Sequence, residues 1–312
     1  MRKLFVDAWD PAYGSGVEDG PRTQSNASTE LDVEVPEHEW RPIDPDPSAT
    51  APDVVLFVDG VRRNDAGVWV EDDSGQVHPG LAASFAAGVV RCDLRAGSAE
   101  LVGHRLGRGL FSPARDASDV GAPPAWYPAR VANGGEPNQL QAAVQACLRG
   151  LEVELSHQAR ANLSTVDDDL LVLDGRLHGR STVPRAIGYV KRQRGDYLPP
   201  QLSTVVGSLA AGQRTPVFRL SSLYSWYLRL PGPAGPPWAG IVRVECAGDL
   251  TVPEAVALAD RSAVTLPRFA SQAYKDPRAP QNLAPIAGLE RRLRGLLGDP
   301  RLLHRALTAA SR

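Results

Sequence analysis

Residues 167–194 read DDDLLVLDGRLHGRSTVPRAIGYVKRQR. The apolar run Leu170 to Leu173 is short enough for a buried strand, and it delivers Asp174 onto a glycine. From 175 to 195 there are six bases and no acid: Arg176, Arg180, Arg185, Lys191, Arg192 and Arg194. Residues 53–63, DVVLFVDGVRR, repeat the pattern of apolar strand, Asp59-Gly60 and two arginines. A lone Asp-Gly after an apolar run is most simply a turn. Two of them, both followed by cations, suggest carboxylates that hold metal beside a polyanion.

Composition bounds the answer. With 43% apolar and 22% charged residues in 312, the chain has material for a full hydrophobic core. No run reaches the roughly 18 apolar residues of a membrane-spanning helix, and Asp7 and Asp10 interrupt the start, so a cytoplasmic protein with no membrane association is expected. Cys92, Cys147 and Cys246 are odd in number and far apart, which argues against a disulfide framework or a zinc cluster. The net charge of −2 hides an asymmetry: residues 1–53 carry 12 acids and 4 bases, and the remainder is mildly basic. That acidic segment suits a solvated tail or an arm that docks a partner.

Patterning predicts strands at 54–58, 66–70, 86–94 and 99–106, the last two joined by a turn at 95–98. A helix follows from Asn138, with Leu140, Val144, Cys147, Leu148, Leu151 and Leu155 at three- and four-residue spacing. Further strands are expected at 216–220 and 239–246, and helices at 253–262 and 286–297. The order suits an α/β fold with a ribonuclease-H-like mixed sheet flanked by helices. Three parts are expected: an acidic, partly extended N-terminal segment at 1–53, the α/β domain at 54–298 and a C-terminal tail helix at 299–312.

Hydrolysis of a phosphodiester by hard divalent ions needs carboxylates converging from separate elements. Asp59 and Asp174 form the natural pair, and the 138–160 helix offers a third in Glu152 or Glu154, which flank its apolar stripe on opposite sides. Arg176, Arg180, Lys191, Arg192 and neighbouring arginines would contact phosphates. Phosphate-loop, dinucleotide and serine-nucleophile motifs are missing, and the histidines have no paired ligand spacing; His178 alone is near the site.

DVVLFVDGVRR, LRGLE (148–152), DDDLLVLDGRL, IGYVKR (187–192) and YKDPRAPQNLAPIAGLERRLR (274–294) together resemble the NurA nuclease family in its bacterial form, over roughly residues 54–298. The resemblance implies a ribonuclease-H-like fold, a homodimer and Mn²⁺- or Mg²⁺-dependent DNA cleavage, both 5′ to 3′ exonucleolytic and endonucleolytic on single strands. It also implies a HerA-type hexameric ATPase as partner in end resection for recombinational repair. By resemblance, Asp59 and Asp174 are strand ligands, Glu152 is the helix glutamate with Glu154 as second choice, and Tyr274 is the C-terminal active-site tyrosine. Where the family places a metal-site histidine after that tyrosine, this sequence has Asn282, with Asp276 as a possible substitute. The alternative reading is a catalytically weakened subunit that binds DNA or docks a partner.

Overall fold

A computed structural model describes residues 27–122, 125–162, 168–177, 179–191, 197–232 and 235–310. In chain order the strands are β1 (Thr29–Glu30), β2 (Val54–Glu71), β3 (Val77–Asp93), β4 (Ser98–Ser112), β5 (Val120–Ala122), β6 (Ala125–Tyr127) and β7 (Ala129–Val131), then helix α1 (Pro137–Asn162). There follow β8 (Asp169–Asp174), β9 (Ala186–Val190), α2 (Pro200–Ser208), β10 (Phe218–Leu220), β11 (Leu223–Arg229), β12 (Ile241–Cys246), α3 (Val252–Thr265), α4 (Ala284–Leu296) and α5 (Pro300–Ala310). Ten strands form one mixed sheet in the order β1-β10-β11-β12-β9-β8-β2-β3-β4-β7, flanked by helices, and β5 and β6 form a separate ribbon. The fold is α/β, as the sequence predicts.

The chain divides into two compact units, with boundaries inside β2, β3 and β4. The first holds residues up to Phe57, Arg91–Glu100 and Asn162–Ala287. Here β8 lies parallel to β9, which is antiparallel to β12. All four leucines and valines of β8 from Leu170 to Leu173 are buried, as a continuous apolar run requires when both faces of a strand are covered. Each end of β8 carries an acid and each end of β9 a base. Asp169 Oδ1 accepts from Arg185 Nε at 2.6 Å, and Asp174 Oδ2 from Lys191 Nζ at 2.5 Å. These pairs fix register, since a one-residue slip separates both at once.

Charge hides β9 in the sequence, because the bases that flank it read as a phosphate-contacting face. Nor is the 167–169 acid run the solvated loop it suggests: Asp169 begins β8 and is buried, and Asp168 accepts the Asp53 amide at 2.9 Å and pairs with Arg261. Asp167 lies outside the described residues.

The same unit absorbs the described part of the acidic N-terminal segment. Trp40 packs with Leu202, Val206, Phe218, Tyr227 and Ile241. Arg214, almost wholly buried, takes Glu34 bidentately at 2.8 and 2.9 Å and Asp260 at 2.6 Å. A buried guanidinium with two carboxylates is satisfied on both sides of its fork. Trp40 and Glu34 thus anchor the described part of this segment in the core, where composition favours neither a solvated tail nor a docking arm.

The second unit holds Val58–Val90, Leu101–Ala161 and Gly288–Arg312. Its two apolar clusters gather Ala82, Leu110, Tyr127, Leu303 and Leu307, and Val61, Ala86, Leu289, Leu293 and Leu297. The two strands predicted at 54–58 and 66–70 are one strand, β2. Its polar middle does not turn, because Asp65 is satisfied in place by Arg63 Nε (2.9 Å), Ser84 Oγ (2.5 Å) and Tyr127 Oη (3.0 Å). Asp59-Gly60 consequently lies inside a strand and not at its end.

Candidate metal centre

Asp174 closes β8 opposite Tyr189 of β9. The backbone then folds back: Gly175 N–H donates to Tyr189 O at 2.8 Å, and Leu177 N–H donates to Glu245 Oε1 at 2.6 Å. Glu245 is 1% exposed and holds Arg243 at 2.8 Å through its other oxygen. A buried carboxylate with a strong donor on each oxygen is a fixed post, and it pins the turn that aims Asp174. Tyr189, wholly buried, donates its hydroxyl to Gln281 O at 2.7 Å, which ties β9 to the segment before α4. Burial first, and then the Asp174 charge, hold that phenol protonated well above its ordinary range.

Lys191 follows β9 directly. Its Nζ lies 2.5 Å from Asp174 Oδ2 and 2.8 Å from Asn282 Oδ1. Asn282 Nδ2 in turn donates to Asp276 Oδ2 at 2.6 Å, and Asp276 Oδ1 accepts the Arg278 amide at 2.8 Å. Asn282 and Asp276 thus belong to one hydrogen-bonded chain that ends on Asp174.

In the second unit, Asp59 points from β2 with Oδ1 accepting its neighbour's amide, Gly60 N–H, at 2.7 Å. Gly60 owes its identity to α1. A Cβ there would stand 2.6 Å from Leu148 Cδ1 and 2.7 Å from Glu152 Oε1, so the glycine admits a close approach of helix to strand. Glu152 is buried beside it. The buried stripe of α1 runs Leu140, Val144, Leu148, Glu152, Leu155 and Ala159, so Glu152 sits within the stripe and not at its margin. Glu154 is exposed and engages Gln158 Nε2 at 2.8 Å and Arg105 Nε at 3.6 Å.

Among the described residues of the second unit, two acids have ligand geometry: Asp59 and Glu290 each offer a carboxylate oxygen, and these atoms lie within 4.8 Å of each other. Glu290, on α4, is buried. Sequence reading passed it over, although a signal is present: Glu290 falls on the apolar face marked by Ile286, Leu289, Leu293 and Leu297, where an acid has no reason to sit unless it is paired. Two carboxylates at this spacing repel each other, and Arg294 Nη2 stands 3.5 Å from Glu290. All-oxygen donors of this kind suit a hard divalent ion such as Mg²⁺ or Mn²⁺, and they fit one.

Tyr274 is 79% exposed, with Lys275 Nζ over its ring at 5.4 Å. Arg176 is exposed, while Arg180 is buried and donates to Arg176 O at 2.9 Å. His178, Arg192 and Arg194 lie outside the described residues.

No family model matches the sequence, and no curated protein matches it. Solved structures with weak similarity are an endonuclease V from Bacillus subtilis (16% identity, 81% of this chain, 86% of that one, TM-score 0.37) and the catalytic domain of human endonuclease V (16%, 83%, 92%, 0.34). A third is Ciona intestinalis endonuclease V in complex with a DNA containing inosine (10%, 79%, 86%, 0.31). Scores of this size carry nothing for function, which is argued below from this chain's own residues.

Proposed function

We propose that the chain is a divalent-metal-dependent nuclease that cleaves DNA phosphodiesters. The observation that carries this reading is the approach of the Asp59 and Glu290 carboxylates within 4.8 Å. These two, with Asp174 as the further ligand that the resemblance implies, would hold the ion. Bound there, it supplies positive charge against the anionic phosphodiester in the transition state. Glu245 fixes the turn behind Asp174, and Lys191 holds the Asp174 carboxylate in one orientation. Glu152, buried beside Gly60, supports the strand that carries Asp59. Arg176, exposed and just past Asp174, would meet a backbone phosphate.

The resemblance to NurA nucleases supports the finer reading: a homodimeric deoxyribonuclease with 5′ to 3′ exonuclease and single-strand endonuclease activity, working with a HerA-type ATPase in end resection. Co-elution with such an ATPase tests that partnership. Among the described residues no helix is long and apolar enough to cross a membrane.

The direct test is cleavage of labelled single- and double-stranded DNA, and of RNA, in Mn²⁺, in Mg²⁺ and in EDTA. Asp59→Asn, Asp174→Asn and Glu290→Gln are each expected to lower the rate by 10²-fold or more, about 2.7 kcal/mol of barrier, while keeping the fold. Full activity in any one of them removes that residue from the site. A second reading, an inert DNA-binding or docking subunit, is motivated by Asn282, whose carbonyl oxygen is already taken by Lys191. Any chelator-sensitive cleavage excludes it.

A further inference from the structure

Asp174 Oδ2 and Asn282 Oδ1 are two oxygen donors that converge on one point, and the point is filled by the Lys191 ammonium at 2.5 and 2.8 Å. The pair is sheltered, with side-chain exposures of 12% for Lys191 and 13% for Asp174. Asn282 cannot turn its amide round, because Nδ2 is committed to Asp276 Oδ2 at 2.6 Å. Asp276 is held by the Arg278 amide in its turn. The oxygen of Asn282 therefore faces the lysine by necessity. A carboxylate oxygen and an amide carbonyl oxygen are the donors that a hard divalent cation selects, and here an internal cation has them.

We propose that Lys191 occupies a second cation position, made by Asp174 and Asn282, so that each chain binds a single divalent ion at its other carboxylates while the lysine supplies the positive charge here. The inference rests on the metal-centre reading given above. A divalent ion entering between Asp174 and Asn282 would have to displace a paired lysine. Two of the three ammonium protons go to Asp174 and Asn282, and the third serves a phosphate oxygen of the substrate. On this account Lys191 is a catalytic residue: it touches substrate and orients Asp174 together.

The test counts bound metal without DNA. Full-length protein is titrated with MnCl2 by calorimetry, and free Mn²⁺ is followed by its electron paramagnetic resonance signal. Wild type is expected to bind one ion per chain. Lys191→Met frees both oxygens and is expected to bind a second, weaker ion; Lys191→Gln, which keeps donors but no charge, serves if the first variant does not fold. Circular dichroism checks each fold. Two ions of similar affinity in wild type overturn the proposal, as does an unchanged count of one in both variants. If wild type binds none, the metal-centre reading fails; an ion gained by either variant then still supports the place assigned to Lys191, and none gained overturns it.

Discussion

Gly188→Ala probes whether the turn behind Asp174 is held as tightly as the distances indicate. A Cβ at Gly188 would lie 2.8 Å from Glu245 Cγ, 2.9 Å from Leu177 N and 3.0 Å from Gly175 O. Two of these are backbone atoms, so no rotamer change relieves the contact. If the turn stays, overpacking costs about 1–3 kcal/mol. If it moves, Leu177 N–H leaves Glu245, and the loss of a hydrogen bond to a buried charged group costs about 1.5–3 kcal/mol. Alanine regains roughly 0.5–1 kcal/mol in a strand through lower unfolded-state entropy. The cheaper of the two responses sets the cost, and the net is a destabilisation of roughly 0.5–2.5 kcal/mol. At roughly 2–4 °C per kcal/mol for a chain of this size, the melting temperature falls by roughly 1–10 °C. Urea unfolding reads the change as a lower midpoint at unchanged slope. Gly150→Ala is the control: it sits exposed in α1 with nothing within 4 Å, and it should gain up to about 1 kcal/mol. A Gly188→Ala midpoint at or above wild type would refute the claim that backbone closes over this position.

The remaining expectations concern parts of the fold away from the metal centre. Glu34→Ala removes the bidentate partner of buried Arg214 and should cost about 3–5 kcal/mol by urea unfolding, since a guanidinium is left with Asp260 alone. A change under 0.5 kcal/mol, roughly the noise of a surface substitution, would mean that residues 27–53 are not part of the core. Burial pushes the Cys92 thiol up to about 11 and the Cys246 thiol, also raised by Glu245 and Asp249, up to about 12. A thiol reagent at pH 8 should therefore modify partly exposed Cys147 first, and rapid labelling of Cys92 or Cys246 in native protein would contradict their burial. The same raised values set a sign: these thiols contribute full stability below about pH 9, and that contribution is lost as pH climbs from there through about 11 and 12. An alkaline fall in melting temperature that is absent in a Cys92→Ala/Cys246→Ala variant checks it.

Local pattern was enough for much of the architecture. The continuous apolar run of β8, the three-and-four spacing of α1 and the break between α4 and α5 are properties of neighbours in sequence, and each appears in the structure near its predicted bounds. Asp59 and Asp174 were legible as candidates because an acid after a buried run is costly without a partner. Partnership across sequence was not legible. The bases after Asp174 look like a phosphate-binding face, and only the parallel pairing of β8 with β9 shows Arg185 and Lys191 meeting Asp169 and Asp174. The first Asp-Gly looks like a turn, and only the approach of α1 to Gly60 shows a strand running through it. Glu290 joins Asp59 from a helix more than two hundred residues further on, and its sequence neighbourhood says only that it is out of place on an apolar face. The sequence by itself determined which side chains are costly to bury unpaired; the tertiary structure decided which of them relieve that cost together, because charge pairing depends on distance in space and not along the chain.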